Sequence, residues 1–251
     1  GTIFPALRAM PVRSTDKLFF LTAKPPGRQV ALDALGKIRN NGVSSHAFPL
    51  RVVELMAKDK ACEHKDKACH GDSCPLARGF YDRLPAARRD AAATGWLDQT
   101  SLRQVALDHQ ICPYYLGHEM VRWSDVVVGD YNYYFDRSAM LYALTVDASW
   151  RVSVLVDEAH NLYSRACGMY SAELTHTLAL AVRPHVPPSV RFRVDELLNQ
   201  WQLMLDAAAR QSPDATWALL EEVPESLRRT LQKLNSTISE HLNDHPTDAH
   251  G

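Results

Sequence analysis

Two features of the sequence could do chemistry: an acidic pair that ends a short apolar run, and a set of cysteines crowded into a polar stretch. In Val152-Ser-Val-Leu-Val-Asp-Glu-Ala-His160 an apolar strand delivers Asp157 and Glu158 at its carboxyl end, the edge where open α/β sheets bind ligands. In nucleotide hydrolysis such a pair divides the labour. One carboxylate holds Mg²⁺ and the next activates or orients the attacking water. His160, three residues after Asp157, can stay close to the phosphates and relay their state to neighbouring segments. An isolated Asp-Glu at a strand end can equally do no more than cap the next helix.

The cysteines are Cys62, Cys69, Cys74, Cys112 and Cys167. Their odd number, with no secretory signal opening the sequence, argues against a disulfide framework. It sets the expectation of a reducing, cytoplasmic compartment and metal-bound thiolates. The first three lie in Lys58–Pro75, a stretch too polar to build an apolar core, which needs another staple such as a metal centre. Their pattern is C-x6-C-x4-C, with Cys112 far along before Pro113-Tyr114. Thiolates are the natural ligands of an iron–sulfur cluster, and uneven spacing is no obstacle to one. Zinc stays open, because His64 and His70 lie beside the thiols, although none of the three gaps is the paired C-x2-C of zinc knuckles.

The elements that must position these groups are legible from apolar periodicity. Leu18–Leu21, Val126–Val128 and Val152–Val156 read as buried strands of a parallel sheet covered on both faces. Gly27–Gly42 reads as an amphipathic helix with Val30, Ala34, Leu35 and Ile38 on one face, and with Asn40-Asn41-Gly42 as its C-cap. Strand followed by helix is half of a βαβ unit, so the fold class is α/β. The stretch from about 50 to 124 breaks this rhythm and reads as an insertion between strands, with Ser101-Leu-Arg-Gln104 a capping box that opens a helix towards Cys112. Val194–Gln211 and Pro224–Asn235 carry helical spacing, and the residues from Asn243 to Gly251 are expected to fray.

Composition narrows the function without naming it. Hydrophobic residues at 46% and charged residues at 23% suit a globular protein, and a formal net charge of -1 makes no whole-chain case for nucleic acid. Any such surface must be local. No apolar run approaches the roughly 18–20 residues that span a bilayer. Arg78, Tyr81, Arg83, Arg88, Arg89, Tyr114, Tyr115, Arg122 and Trp123 interleave base and aromatic, which suits a channel that neutralises phosphates and stacks bases. Aromatics turned inward beneath an ordinary helical surface are the alternative.

Val154-Leu-Val-Asp-Glu-Ala-His-Asn-Leu162 resembles motif II of superfamily-2 helicases in its Asp-Glu-Ala-His form, and the trailing Asn161-Leu162 is typical of the XPD/DinG branch. The resemblance makes Asp157 the magnesium-binding acid, Glu158 the catalytic base and His160 the residue that couples hydrolysis to movement on DNA. Leu18–Arg28 resembles motif Ia, which grips single-strand backbone, with Thr22, Lys24 and Arg28 suited to phosphate contacts. The cysteines fall between these motifs, where that branch carries a 4Fe–4S domain. Cys62, Cys69, Cys74 and Cys112 are then its ligands, on the pattern of the bacterial DinG-like branch, and Cys167 is a buried or spectator thiol. Arg78, Arg83, Tyr115 and Arg122 join the DNA-binding set. Asp125–Asp136 resembles the family's return strand, with Asn132 and Tyr133 structural.

The family plan implied is a partial RecA-like sheet. It has a first motor segment at 1–49, an iron–sulfur insertion at 50–124, a return to the motor at 125–170, and the start of a helical arch at 171–251. No G-x-x-x-x-G-K-S/T phosphate loop occurs, and Gly1–Met10 resembles the helix that follows it. The expectation is therefore a piece of an ATP-driven, 5′-to-3′ DNA helicase acting on single-stranded or forked DNA, inactive as an ATPase alone. The alternative is a non-catalytic zinc-stabilised module that binds nucleic acid or protein.

Overall fold

The computed structural model describes residues 1–40, 50–212, 214, 217 and 219–245. Asn41 and Gly42 of the expected C-cap, and the tail beyond His245, lie outside them. The chain divides into two compact units, Gly1–Ser171 and Ala172–Gly251.

The first unit is built on a five-stranded, all-parallel sheet. In chain order its elements are α1 (Ile3–Arg13), β1 (Lys17–Leu21), α2 (Pro25–Asn40), β2 (Val52–Glu54), α3 (Lys58–Ala61), α4 (Phe80–Thr94), β3 (Trp96–Leu97), α5 (Gln99–Asp108), α6 (Pro113–Met120), β4 (Val126–Gly129), α7 (Asn132–Phe135), α8 (Met140–Asp147), β5 (Val152–Val156) and α9 (Leu162–Met169). The spatial order is β3-β2-β4-β1-β5. Phe19 pairs with Val127 on one side and Val154 on the other.

Alternation along the strands sends successive side chains to opposite faces. Leu18, Phe20, Val52, Val126 and Val128 face α1 and α2, packing on Ile3, Ala31, Leu32 and Leu35. Phe19, Leu21, Val53 and Val127 face α4, α5, α6 and α8, packing on Ala87, Leu102, Leu116, Met120 and Leu141. Each of these large side chains contributes about 1.5–3 kcal/mol by leaving water. Among the described residues β5 is an edge strand paired with β1 alone, and all five of its residues are half-buried.

Several expectations are corrected here. β2 and β3 come from within 50–124, so that segment is not purely an insertion; strands of three and two residues are too short to show a period. α2 buries Ala31, Leu32 and Leu35, while Val30 is exposed. A 100° step per residue makes a face misread by one position easy. α5 starts two residues before Ser101, and its N-cap is Asp98, whose Oδ1 accepts from the Ser101 amide at 2.9 Å. The expected box at 101–104 therefore lies inside the helix.

The second unit is helical. α10 (His176–Val182) is capped by Thr175, whose hydroxyl accepts from the Leu178 amide at 3.3 Å. α11 (Pro188–Gln211) and α12 (Glu225–Asp244) pack against each other. Val190, Val194 and Leu197 are its buried residues on α11. No helix among the described residues is long and apolar enough to cross a membrane.

Candidate functional site

Parallel strands bring their carboxyl ends to one edge, and there the sheet sets Thr22, Asp130 and Asp157 just after β1, β4 and β5, with Glu54 as the last residue of β2. The ladder continues one step past the strands: the Thr22 amide donates to Gly129 O at 2.9 Å and the Asp157 amide to Leu21 O at 2.9 Å. Thr22 is buried, and its hydroxyl donates to Asp157 Oδ2 at 3.1 Å. Gly27, early in α2, sits against the same two residues. A Cβ there would lie 2.3 Å from Thr22 Oγ1 and 2.6 Å from Asp157 Oδ2, so the backbone approaches this pair as only glycine permits.

Beyond Asp157 the chain makes a strained turn. Glu158 has φ 50° and ψ 44°, the left-handed region that costs a non-glycine residue about 1 kcal/mol. It is followed by a single 3-10 turn, Ala159–Asn161, and then α9. Glu158 and His160 are exposed and lie together, with Glu158 Oε2 3.2 Å from His160 Nδ1. Asp157 is half-buried and anchored, whereas Glu158 projects into solvent. A fixed carboxylate beside a free one is an arrangement that can hold a cation and present a base.

Three residues that the sequence reading passed over support this turn. Tyr131 is fully buried, and its hydroxyl donates to the main-chain carbonyl of Asp157. Arg165, on α9, donates through Nη2 to Asp130 Oδ1 at 2.7 Å and to Asn132 Oδ1 at 3.2 Å. Its guanidinium carbon lies 5.8 Å from the Tyr131 ring centre. The available signal was that Asp130 ends β4 as Asp157 ends β5. Asn132, expected to be structural, takes part in this network, and Tyr133 donates to Met56 O at 2.8 Å.

The second candidate region is a pocket lined by Cys62, Cys69, Cys74 and Cys112, together with His64 and Tyr115. Cys112 reaches it as the residue that opens α6, and the other three come from the segment between α3 and α4. All five cysteines are free. His70 does not line the pocket; its Nδ1 accepts from the Asp72 amide at 3.4 Å. Burial pushes the Cys112 thiol up, and nearby Cys62 and Cys69 act in the same direction. Among the described residues no three His, Cys, Asp or Glu side chains are gathered closely enough to hold one metal ion. Cys167 lies on α9 and is exposed, so of the two expectations for it, buried or spectator, the buried one is excluded.

The residues read as phosphate contacts divide sharply. Lys24, Arg78 and Tyr115 are exposed. Thr22 is not available, because its hydroxyl is held inside by Asp157. Arg28 is buried, 3.8 Å from Glu54 Oε1. Glu54 also accepts from the Gln99 amide at 3.0 Å, and burial raises its pKa. Arg83 spends its donors on the carbonyls of Pro75, Arg78 and Gly79, clamping the loop that leads from Cys74 into α4. Arg122 precedes β4, at the opposite end of the sheet from Asp157, and pairs with Asp147 at 3.0 Å. A basic residue's spacing reveals its charge but not which end of a strand it will occupy.

Phe80, Tyr115, Tyr114, His118 and Tyr133 form one continuous run of ring contacts from the thiol pocket to the turn after β4. Burial pushes the His118 imidazole down to about 4, so it is neutral at ordinary pH, and its Nε2 is buried without a partner. Most of the interleaved aromatics of this region therefore pack on one another.

The DEAD_2 family model matches residues 46–178. The chain is 27% identical over 192 residues to the regulator of telomere elongation helicase 1 homolog of Anopheles gambiae, covering 70% of this chain and 19% of that protein. It is 30% identical over 126 residues to the ATP-dependent DNA helicase CHL1 of Sclerotinia sclerotiorum, covering 50% and 13%. A solved structure titled Truncated XPD superposes with a TM-score of 0.54 at 18% identity, covering 95% of this chain and 68% of that one. At that identity the match speaks for the fold. The chain spans about a fifth or less of the length of these curated relatives.

Proposed function

This chain belongs to the DEAD_2 family, and from that premise we propose that it forms part of the nucleotide-driven motor of an XPD-like, superfamily-2 DNA helicase. The observation that carries the reading is the Thr22–Asp157 hydrogen bond at the carboxyl edge of the parallel sheet. It ties a motif Ia-like loop to a motif II-like acid, as a motor that couples DNA contact to hydrolysis needs. Asp157 would hold Mg²⁺, which neutralises phosphate charge when bound. Glu158, exposed beside it, is suited to orient and deprotonate water, and His160 sits next to Glu158 to sense the occupied state. Lys24, Arg78 and Tyr115 are the exposed residues for backbone neutralisation and base stacking on a single strand.

The thiol pocket supports a 4Fe–4S cluster held by Cys62, Cys69, Cys74 and Cys112. Four thiols, three from the segment between α3 and α4 and one from the start of α6, line one pocket, and thiolates are the natural ligands of such a cluster. A bound cluster supplies a covalent node for a segment with little core of its own. On this reading α3–α6 form the wedge at the fork, residues 172–251 open an arch, and the protein moves 5′ to 3′ in the manner of the DinG-like branch. The segments 1–49, 50–124 and 125–170 are then motor, cluster segment and motor, with β2 and β3 of the middle segment belonging to the motor sheet.

The test is ATP hydrolysis by the full-length protein with and without single-stranded DNA. DNA should stimulate the wild type, and Glu158→Gln should abolish turnover while ATP binding persists. Hydrolysis indifferent to both would sink the proposal.

A further inference from the structure

We propose that Asp130, Tyr131 and Arg165 are positioning residues that hold the Asp157–Glu158 turn in its left-handed form. This rests on the reading of that turn as the hydrolytic site. Glu158 sits at φ 50° and ψ 44°, a conformation that a glutamate leaves unless its surroundings over-determine it. The surroundings do so from three sides. The Asp157 amide is held by Leu21 O at 2.9 Å and its carboxylate by Thr22 at 3.1 Å. The carbonyl that joins Asp157 to Glu158 accepts from the Tyr131 hydroxyl. Those contacts fix the upstream half of the turn.

The downstream half is fixed by α9. Only the 3-10 turn Ala159–Asn161 separates Glu158 from that helix, so its first turns decide the direction in which the chain leaves. Arg165 ties α9 back to the end of β4 through Asp130 at 2.7 Å and Asn132 at 3.2 Å, with its guanidinium beside the Tyr131 ring. The pair is partly buried, at 37% and 29% side-chain exposure, which leaves it less screened than a surface pair. One strut thus links the turn after β4 with the turn after β5. When it is cut, α9 keeps apolar packing through Leu162 and Met169, and Glu158 can relax to a right-handed conformation, which re-aims its carboxylate. Asp157, held separately by Thr22 and Leu21, stays in place. The expected signature is a base that is misplaced while the metal-binding acid is not.

The experiment uses the full-length protein and three variants: Arg165→Ala, Tyr131→Phe, and the exchange Asp130→Arg with Arg165→Asp. Hydrolysis stimulated by single-stranded DNA is resolved into kcat and the KM for ATP. Hydrogen exchange is followed at residues 157–161 and, as a reference, at the β1 strand. Arg165→Ala should lower kcat at least tenfold with KM within twofold, and speed exchange at 157–161 while β1 exchanges as in the wild type. Tyr131→Phe, which keeps the packed ring, should do the same to a smaller extent. The charge exchange should recover more than half of the lost kcat and protection. Unchanged kcat and exchange in Arg165→Ala, uniform loss of protection across the sheet, or no recovery in a charge exchange that still folds would each overturn the proposal. Glu158→Gln separates the two layers. If it hydrolyses ATP as the wild type does, the hydrolytic reading fails, and the exchange data alone judge the strut.

Discussion

The Thr22 hydroxyl donates to Asp157 Oδ2 at 3.1 Å across 135 residues of sequence. The loop after β1 and the turn after β5 therefore cannot move independently. Thr22→Val keeps the shape and removes the donor, leaving a half-buried carboxylate with one partner fewer. The expected cost is about 1–2 kcal/mol in urea unfolding, with a severalfold rise in the Mg²⁺ concentration needed for half-maximal hydrolysis. Thr22→Ser should behave as the wild type. A Thr22→Val protein with unchanged Mg²⁺ dependence would separate the hydrogen bond from the metal site.

Gly27→Ala tests how tightly α2 is seated. A methyl group 2.3 Å from Thr22 Oγ1 and 2.6 Å from Asp157 Oδ2 must displace one of them, and neither is the loose end of a flexible chain. The variant should lose about 1–3 kcal/mol, the range for overpacking, and at least tenfold in hydrolysis. Crystals of the variant would show the Thr22–Asp157 contact broken; wild-type activity with that contact intact refutes the prediction.

Removal of single thiols should separate the pocket from the spectator. Cys112→Ser is expected to lower iron from roughly four per chain and to bleach the broad absorbance near ~400 nm in anaerobically purified protein. Cys167→Ser, altered at an exposed position on α9, should keep both. One zinc per chain and no colour in the wild type would favour the zinc-stabilised module instead.

Arg28 and Lys24 should fail differently. Arg28 is buried near Glu54, so Arg28→Ala leaves an uncompensated acid and should cost about 3 kcal/mol of stability. Lys24 is exposed. Lys24→Ala should leave the unfolding midpoint alone, weaken single-strand binding, and reduce the slope of log affinity against log salt by about 0.7. Matching effects from the two substitutions would contradict their assignment to core and surface.

Lys17 sets a pH dependence. Burial lowers its ammonium to about 8, against opposing pulls from Asp125 and Asp16. Its Nζ donates to Ser124 O at 2.7 Å and Arg122 O at 3.2 Å, bonds a neutral amine can share. Between pH 8 and about 10.5 the unfolded chain holds more protons than the native one, so stability from this group rises with pH through that window. Below pH 8 the cost of the buried charge is fully present. Lys17→Met should flatten the rise in denaturant midpoints measured from pH 8 to 10, and a slope identical in both proteins would exclude Lys17 as its source.

What the sequence determined by itself was whatever is carried by short-range pattern. The apolar runs at 18–21 and 126–128 became β1 and β4, because an uninterrupted β-branched or aromatic run is stable only when covered on both faces; the run at 152–156 became β5, a strand as expected but half-buried at the sheet edge. The acidic pair after β5, the α/β class and the thiol-rich loop were legible for the same reason. Tertiary structure alone decided the rest. β2 and β3 are strands because the sheet pairs them, not because two or three residues announce it. Thr22 is drawn inward by its hydrogen bond to distant Asp157, and Arg28 is buried 3.8 Å from Glu54. Arg122 was assigned by its charge, and strand direction put it at the opposite end of the sheet from Asp157. Asp130, Tyr131 and Arg165 became supports of the Glu158 turn only when parallel strands brought two carboxyl ends together. A periodic pattern encodes which way a side chain faces, but its partners come from other segments, and only the closed fold brings them within a hydrogen bond.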